Sequence, residues 1–305
     1  MSTAAGRAQG RWAIFNAMTQ PPPALAGFTE STFSHDGYAH QVVTAGRGPI
    51  VLLLHEIPGL HPGVLDLAHR LIGRGFTVYL PSLFGTPGAE PTSGAMLRSL
   101  GRICVSREFR GLTRQPAGAT GWLRALVRQA WADSAGTDDG DAVRGAGVGV
   151  IGMCLTGGFA LATALEPRVL AAVLSQPALP LPLGAAGRAS LGLRPVELEA
   201  LKKRTTDDAT GLRLLGLRFS ADRGCPPERF QTLRNEFGPG FESIEIDSSP
   251  GNPAGIAASA HCVLTVSLVD EPGHPTRAAL VRTLDFLAER LIVRPGSVAP
   301  ELPGE

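Results

Sequence analysis

Runs of consecutive apolar residues recur along the chain, separated by segments in which apolar residues return every three or four positions. Residues 50–54 are entirely apolar, which is typical of a parallel strand buried on both faces. A helical spacing follows over residues 64–74 and stops at Gly75, and residues 76–80 form the next strand-like run. Strands that alternate with helices predict an α/β fold with a mostly parallel central sheet flanked by helices.

The same alternation continues towards the C-terminus. Further strands are predicted at residues 148–152, 169–175, 212–220 and 243–247, and helices at 98–135, 157–165, 195–204, 227–237 and 275–291. Before the first apolar run, polar alternation around Asp36-Gly37 predicts a β-hairpin over residues 29–45. We expect a flexible arm at residues 1–27, one domain at 28–292 with a small insertion near 180–210, and a tail at 293–305.

Composition and charge narrow the class of protein. The chain has 305 residues, of which 44% are hydrophobic, and a formal net charge of +1. This balance favours a globular core and gives no reason to expect a nucleic-acid or membrane partner. The N-terminal region has no continuous apolar segment of the signal-peptide type, so we expect a soluble cytoplasmic protein. The four cysteines, which form no C-x-x-C pair and therefore predict reduced thiols, are Cys104, Cys154, Cys225 and Cys262.

The strongest candidate for chemistry is the segment in which a strand-like run ends at Cys154. Small residues follow it at Gly157 and Gly158 and open a predicted helix. A sharp strand-to-helix turn around one reactive side chain is the layout of a nucleophile elbow. The helix N-terminus favours the thiolate, which is the nucleophilic form of cysteine. The alternative is an unreactive cysteine buried in the core.

A competing motif overlaps this segment. Gly147, Gly149 and Gly152 match the G-x-G-x-x-G dinucleotide fingerprint, but that fingerprint follows a strand and opens a helix. Here the glycines lie within the predicted strand, and Glu166 precedes Pro167 instead of ending a strand. A nucleotide-dependent oxidoreductase is therefore disfavoured. The histidines show no H-x-H or H-E-x-x-H spacing, so we expect no metal ion.

A cysteine nucleophile needs a base and a group that orients the base. In α/β-hydrolases the chain order is nucleophile, acid, histidine. Asp222 follows a predicted strand and is the first candidate for the acid, Asp247 follows the next strand and is the second, and either could be a turn residue. His261 lies in the connection after the last strand, where it could reach back to the elbow. His274 begins the last helix and is the alternative base.

Taken together, these residues resemble the motifs of a known family. The Gly152–Gly158 elbow, the His55–Gly59 turn after the first apolar run, Asp222 and the Ala260-His261-Cys262 segment resemble the dienelactone hydrolases over residues 30–292. Members of this family are single-domain α/β-hydrolases that open an unsaturated lactone carrying a carboxylate. The resemblance implies the α/β-hydrolase fold, a small-molecule ester or lactone substrate, and neither a metal nor an organic cofactor.

The resemblance also implies roles for individual residues. It makes Cys154 the nucleophile, His261 the base and Asp222 the acid that orients the base. Glu56 matches a glutamate that contacts the resting cysteine. The backbone amides of Ile57 and Leu155 match the oxyanion hole. The expected reaction is hydrolysis of an ester or lactone through a cysteine thioester.

The chain departs from the family pattern at two positions. Thr156 stands two residues after the nucleophile where the family has glycine, and Thr265 replaces an arginine that helps to hold the substrate carboxylate. Arg107 is a candidate for a second carboxylate-binding arginine and for a partner of Glu56, although it could equally be a solvated helix charge. A non-catalytic ligand-binding protein of the same fold remains an alternative. We expect a monomer or a weak homo-oligomer.

Overall fold

The structure is a computed structural model that describes residues 11–13, 25–90, 92, 94, 98–99, 117–134, 145–206 and 211–292. Its strands are β1 (Arg11–Ala13), β2 (Thr29–His35), β3 (Tyr38–Gly46), β4 (Ile50–Leu54), β5 (Thr77–Pro81), β6 (Val148–Met153), β7 (Val169–Ser175), β8 (Arg213–Phe219) and β9 (Phe241–Ile246). Its main helices are α1 (Pro62–Gly73), α2 (Ala117–Ser134), α3 (Gly157–Thr163), α4 (Gly184–Ala189), α5 (Pro195–Thr206), α6 (Pro227–Phe237) and α7 (Pro275–Leu291).

The strands form one nine-stranded sheet in the order β1-β2-β3-β5-β4-β6-β7-β8-β9. The strands from β5 to β9 pair in parallel, whereas β1, β2 and β3 add an antiparallel edge that ends on β5. The predicted hairpin joins β2 to β3. Asp36 and Gly37 both have positive φ, at 49° and 79°, as the two central residues of a type I′ turn require. The predicted α/β fold is confirmed.

Two apolar layers cover the faces of this sheet. Strand β4 is buried along its whole length because its side chains point alternately into the two layers. Helices α2, α3 and α6 cover one face with Trp122, Phe159 and Phe230. Helices α1 and α7 cover the other face with Leu67 and Phe286. The layers fix the strands, and the strand ends in turn fix the functional side chains.

The segments outside this core differ in how far the structure describes them. Within the predicted N-terminal arm, β1 pairs with β2. The predicted insertion contains the short helices α4 and α5. The predicted tail at 293–305, together with Cys104 and Arg107, lies outside the described residues. Among the helices that the structure describes, none is long and apolar enough to cross a membrane.

Candidate active site

The functional side chains gather at the carboxyl edge of the parallel strands. The register pairs Leu54 of β4 with Gly152 of β6, and Met153 with Ser175 of β7. The residues that follow these strands therefore leave the sheet at the same edge. This edge is where open α/β sheets bind their ligands. Glu56, Cys154, Gln176 and Asp222 all lie in the turns that leave this edge.

Cys154 lies at a sharp turn between β6 and α3. Its φ is +53°, a conformation that is uncommon for a residue with a side chain, and it starts a 3₁₀ turn that leads into the helix. A Cβ atom at Gly152 would lie 2.3 Å from the carbonyl oxygen of Thr156, so only glycine fits there. The side chain of Cys154 is partly exposed. The predicted strand–turn–helix elbow is thus present.

Thr156 fits the elbow without strain. Its φ is −85°, within the ordinary helical region, so this position needs no glycine. Its hydroxyl accepts a hydrogen bond from the Met153 amide at 2.9 Å and lies 3.0 Å from the carbonyl oxygen of Leu54. The threonine therefore ties the elbow to the end of β4, and the backbone accommodates this departure from the family pattern.

The loop after β9 brings His261 onto Asp222. Nδ1 of His261 lies 2.7 Å from Oδ2 of Asp222, and the buried carboxylate also accepts from the Gly224 amide at 2.8 Å. Cys154 also lies close enough to His261 to act on its pKa. Burial opposes protonation of the imidazole, but the interactions with Asp222 and Cys154 outweigh it and raise the pKa of His261 to about 10.

The alternative acid and base lie elsewhere and have local partners. His274 caps the N-terminus of α7, where Nδ1 is 2.7 Å from Oγ1 of Thr276. Asp247 accepts from the Ser249 amide at 2.9 Å. Both are the turn and cap roles that these residue types commonly have. The geometry brings together Cys154, His261 and Asp222 and leaves the other two apart.

Glu56 is fully buried, and its hydrogen bonds differ from the expected one. Nε2 of His61 lies 3.2 Å from Oε1, and Nε2 of Gln176 donates to Oε2 at 3.0 Å. The hydroxyl of Thr265 also donates to the carboxylate, and Cys262 lies close enough to act on its pKa. Burial raises the pKa of Glu56, but these interactions outweigh burial and lower it.

The contacts of the Glu56 carboxylate differ from those that the family resemblance implies. Among the described residues, no hydrogen bond joins Glu56 to Cys154. The partners that it has were missed in the sequence. Gln176 could have been noticed as a polar residue directly after an apolar strand. His61 could have been noticed just before the proline that opens α1.

The expected oxyanion donors flank the elbow. Ile57 follows Glu56 in the turn after β4, and its amide has no acceptor among the described residues. Leu155 is the residue after Cys154, in the first turn of the 3₁₀ segment. The two amides thus belong to the turns that leave neighbouring strands β4 and β6. This is the arrangement that an oxyanion hole requires.

The other thiols and His55 have surroundings that oppose reactivity. Burial raises the pKa of the Cys225 thiol. Burial and the charge of Glu56 raise that of Cys262. Burial lowers the pKa of His55 to about 4, and its Nε2 accepts from the Leu83 amide at 3.0 Å. His55 therefore supports the turn as a neutral side chain.

A cleft of about 760 Å³ opens beside the Asp222–His261 pair. Small apolar side chains form much of its wall, including Ala178 and Ala258. Arg223 lines it as well and is exposed. Within the part of the chain that the structure describes, this guanidinium has neither a hydrogen bond nor an ion pair. The cleft therefore offers an apolar surface and one unpaired positive charge.

The glycines of the dinucleotide fingerprint do not form a phosphate-binding turn. Gly149 and Gly152 lie inside β6. A Cβ at Gly149 would meet the side chains of Leu287 and Leu291 at 2.9 and 2.8 Å. These glycines therefore permit close packing of helices α7 and α3 against the sheet, which argues against the oxidoreductase alternative.

A mostly parallel sheet between helical layers, with a strand–turn–helix elbow at its carboxyl edge, defines the α/β-hydrolase class. The model of the dienelactone hydrolase family matches residues 35–186, and the chain belongs to this family. The matched range contains Glu56 and Cys154 and ends before Asp222 and His261. Among curated proteins, none matches the sequence.

Solved structures share the fold at low sequence identity. A protein from Klebsiella pneumoniae assigned as a dienelactone hydrolase is 18% identical, with 86% of this chain and 98% of that chain covered and a TM-score of 0.53. A dienelactone hydrolase-like promiscuous phosphotriesterase from metagenomic libraries is 14% identical, with 87% and 98% covered and a TM-score of 0.52. An acetyl xylan esterase from Paenibacillus is 15% identical, with 92% and 89% covered and a TM-score of 0.51.

Proposed function

We propose that this member of the dienelactone hydrolase family hydrolyses a carboxylic ester or lactone through a thioester on Cys154. The observation that carries the proposal is the hydrogen bond between Asp222 and His261 beside Cys154, which lies on an elbow with a strained φ. A nucleophile, a base within hydrogen-bond reach and a third group that orients the base are the parts that acyl transfer needs.

The pKa of His261 indicates how the resting site is charged. Because this pKa is raised to about 10, the imidazole carries a proton at neutral pH and faces Cys154 as an imidazolium. The thiolate attacks the carbonyl carbon, and the amides of Ile57 and Leu155 stabilise the oxyanion that develops. When the carbon–oxygen bond breaks, His261 gives its proton to the leaving alkoxide. The acyl group is then bound to sulfur.

Acylation itself prepares His261 for the second half of the reaction. The thioester has no negative charge, so one of the interactions that raised the pKa of His261 is lost. The neutral imidazole then takes a proton from water as the water oxygen attacks the thioester. The carbon–sulfur bond breaks, the acid leaves, and the thiolate and imidazolium form again.

Mass spectrometry after exposure to p-nitrophenyl acetate tests the nucleophile. We expect one acetyl group on Cys154 and none on Cys225 or Cys262, whose thiol pKa values are raised. His261→Ala should reduce turnover by about 10²–10⁴-fold, the usual contribution of a general acid–base group, whereas His274→Ala should retain activity. A protein that turns over no ester and forms no adduct would be the ligand-binding alternative.

The charge of the cleft suggests an anionic substrate. Arg223 is unpaired beside the Asp222–His261 pair, and arginine binds carboxylates well through its planar fork. An ester or lactone that carries a free carboxylate should therefore bind better than its neutral methyl ester. Arg223→Gln should raise KM for the acid and leave KM for the neutral ester unchanged. Equal changes for both substrates would remove Arg223 from the substrate site.

A further inference from the structure

Three residues of the loop that carries His261 interact with the buried carboxylate of Glu56 or with the side-chain amide of Gln176. The hydroxyl of Thr265 donates to Glu56, and Cys262 lies close enough to this carboxylate to lower its pKa. The Val263 amide donates to Oε1 of Gln176 at 3.2 Å, and Nε2 of Gln176 donates to Glu56 at 3.0 Å. The position of this loop therefore depends on the position of the Glu56–Gln176 pair.

This pair joins two strands that are not neighbours. Glu56 follows β4 and Gln176 follows β7, and β6 lies between these strands and ends in Cys154. The hydrogen bond between the two side chains thus spans the strand that carries the elbow. It connects the turn that holds the Ile57 amide to the loop that holds His261.

The orientation of Gln176 is fully determined by its surroundings. Its side-chain oxygen receives the Val263 amide and the Ser175 hydroxyl, and its side-chain nitrogen faces a carboxylate that can only accept. A flipped amide would place donor against donor and acceptor against acceptor. The backbone of Gln176 has a φ of +36°, a strained conformation that persists when neighbouring contacts enforce it.

We infer that the Glu56–Gln176 hydrogen bond is a latch that sets the position of His261 relative to Cys154, which makes Gln176 a positioning residue for proton transfer to the leaving group. This role rests on the proposed function. It gives the buried carboxylate a different task from direct contact with the resting thiol, because its donors come mainly from the base loop and from Gln176.

A latch of this kind affects esters unequally. A p-nitrophenolate leaving group departs without a proton, so its acylation needs His261 only to stabilise the attacking thiolate. An ethoxide leaving group needs the proton of His261 as well. Loss of the latch should therefore slow acylation by an ethyl ester more than acylation by a p-nitrophenyl ester with the same acyl group. A merely structural role would slow both equally, through the fraction of protein folded.

The experiment compares kcat/KM for the two esters in wild type, Gln176→Leu and Gln231→Leu. Gln231 is a matched control, since it is an exposed glutamine on α6 whose side chain bonds Asn235. Gln176→Leu should lower kcat/KM for the ethyl ester by about 10²-fold, the usual effect of a misplaced catalytic group, and should lower kcat/KM for the p-nitrophenyl ester much less. Gln231→Leu should change neither.

A second variant keeps the test decisive if Gln176→Leu does not fold. Thr265→Val removes one donor from the base loop and should shift the two esters in the same unequal way, to a smaller extent. Equal losses for both esters in these variants, while wild type still forms the acetyl adduct on Cys154, would overturn the latch alone. Absence of the adduct in wild type would overturn the proposed function and the latch with it.

Discussion

Replacing Arg229 by methionine would measure how much the hydrogen bonds of this side chain stabilise the 177–190 segment next to the site. Arg229 lies on α6 and is 1% exposed. Its guanidinium donates to the carbonyl oxygens of Pro177, Pro180, Gly187 and Ser190. The segment matters to the elbow because the Ala178 amide donates to the carbonyl oxygen of Cys154 at 2.8 Å.

The size of the effect follows from which carbonyl groups lose their partner. The bonds to Pro177 and Pro180 are buried, whereas those to Gly187 and Ser190 are partly exposed, so water can replace the second pair. An unsatisfied buried acceptor costs about 1–3 kcal/mol. For two of them Arg229→Met should lower the free energy of unfolding by about 2–6 kcal/mol.

Urea denaturation of wild type and two variants measures this difference. Arg188→Met is the matched control, because Arg188 lies in the same segment and pairs with Glu228 at the exposed surface. An exposed pair of this kind contributes little to stability, because solvent and salt screen it. Limited proteolysis should also cut the 177–190 segment faster in Arg229→Met. If both variants lose the same free energy, the four carbonyl bonds do not carry the stability assigned to them.

Two further predictions concern the elbow and the charged pair. Gly152→Ala should lower the free energy of unfolding by about 1–3 kcal/mol, as overpacking of a core does. It should also lower esterase activity, because the new Cβ would displace the Thr156 carbonyl. Full esterase activity in this variant would contradict the prediction. The pKa of His261 is raised to about 10 from about 6.5 in an unfolded chain, so its proton stabilises the fold below about pH 6.5 and this contribution is lost as the pH rises to about 10. The difference in unfolding free energy between wild type and His261→Gln should therefore shrink over that range, and a constant difference would show that the proton is not linked to folding.

Local patterns in the sequence were sufficient for the elbow, most helices and every strand except β1, which lies in the predicted flexible arm. Apolar runs such as residues 50–54 are buried on both faces whatever their neighbours are, and the change to small residues after Cys154 marks the turn. Asp222 and His261 were reached through their places after successive strands. These features depend on short stretches of chain, so the sequence contains them directly.

Long-range contacts were not accessible in the same way. The partners of Glu56 lie up to 209 residues away, and no periodicity links positions so far apart. The choice between His261 and His274 likewise depends on one contact across 39 residues. In the sequence, Arg229 is indistinguishable from a solvated arginine on a helix surface. It is buried only because the 177–190 segment folds over it.

The sequence separations between Glu56 and its partners also determine the order in which these residues are synthesised. Its carboxylate is made 120 residues before Gln176 and 209 residues before Thr265. At the usual speed of translation the wait for Thr265 is about 10–40 s. Through that time the charge stays hydrated, since the buried donors of the base loop do not yet exist. His261 is made shortly before Thr265, so the proposed nucleophile Cys154 leaves the ribosome well before its proposed base exists.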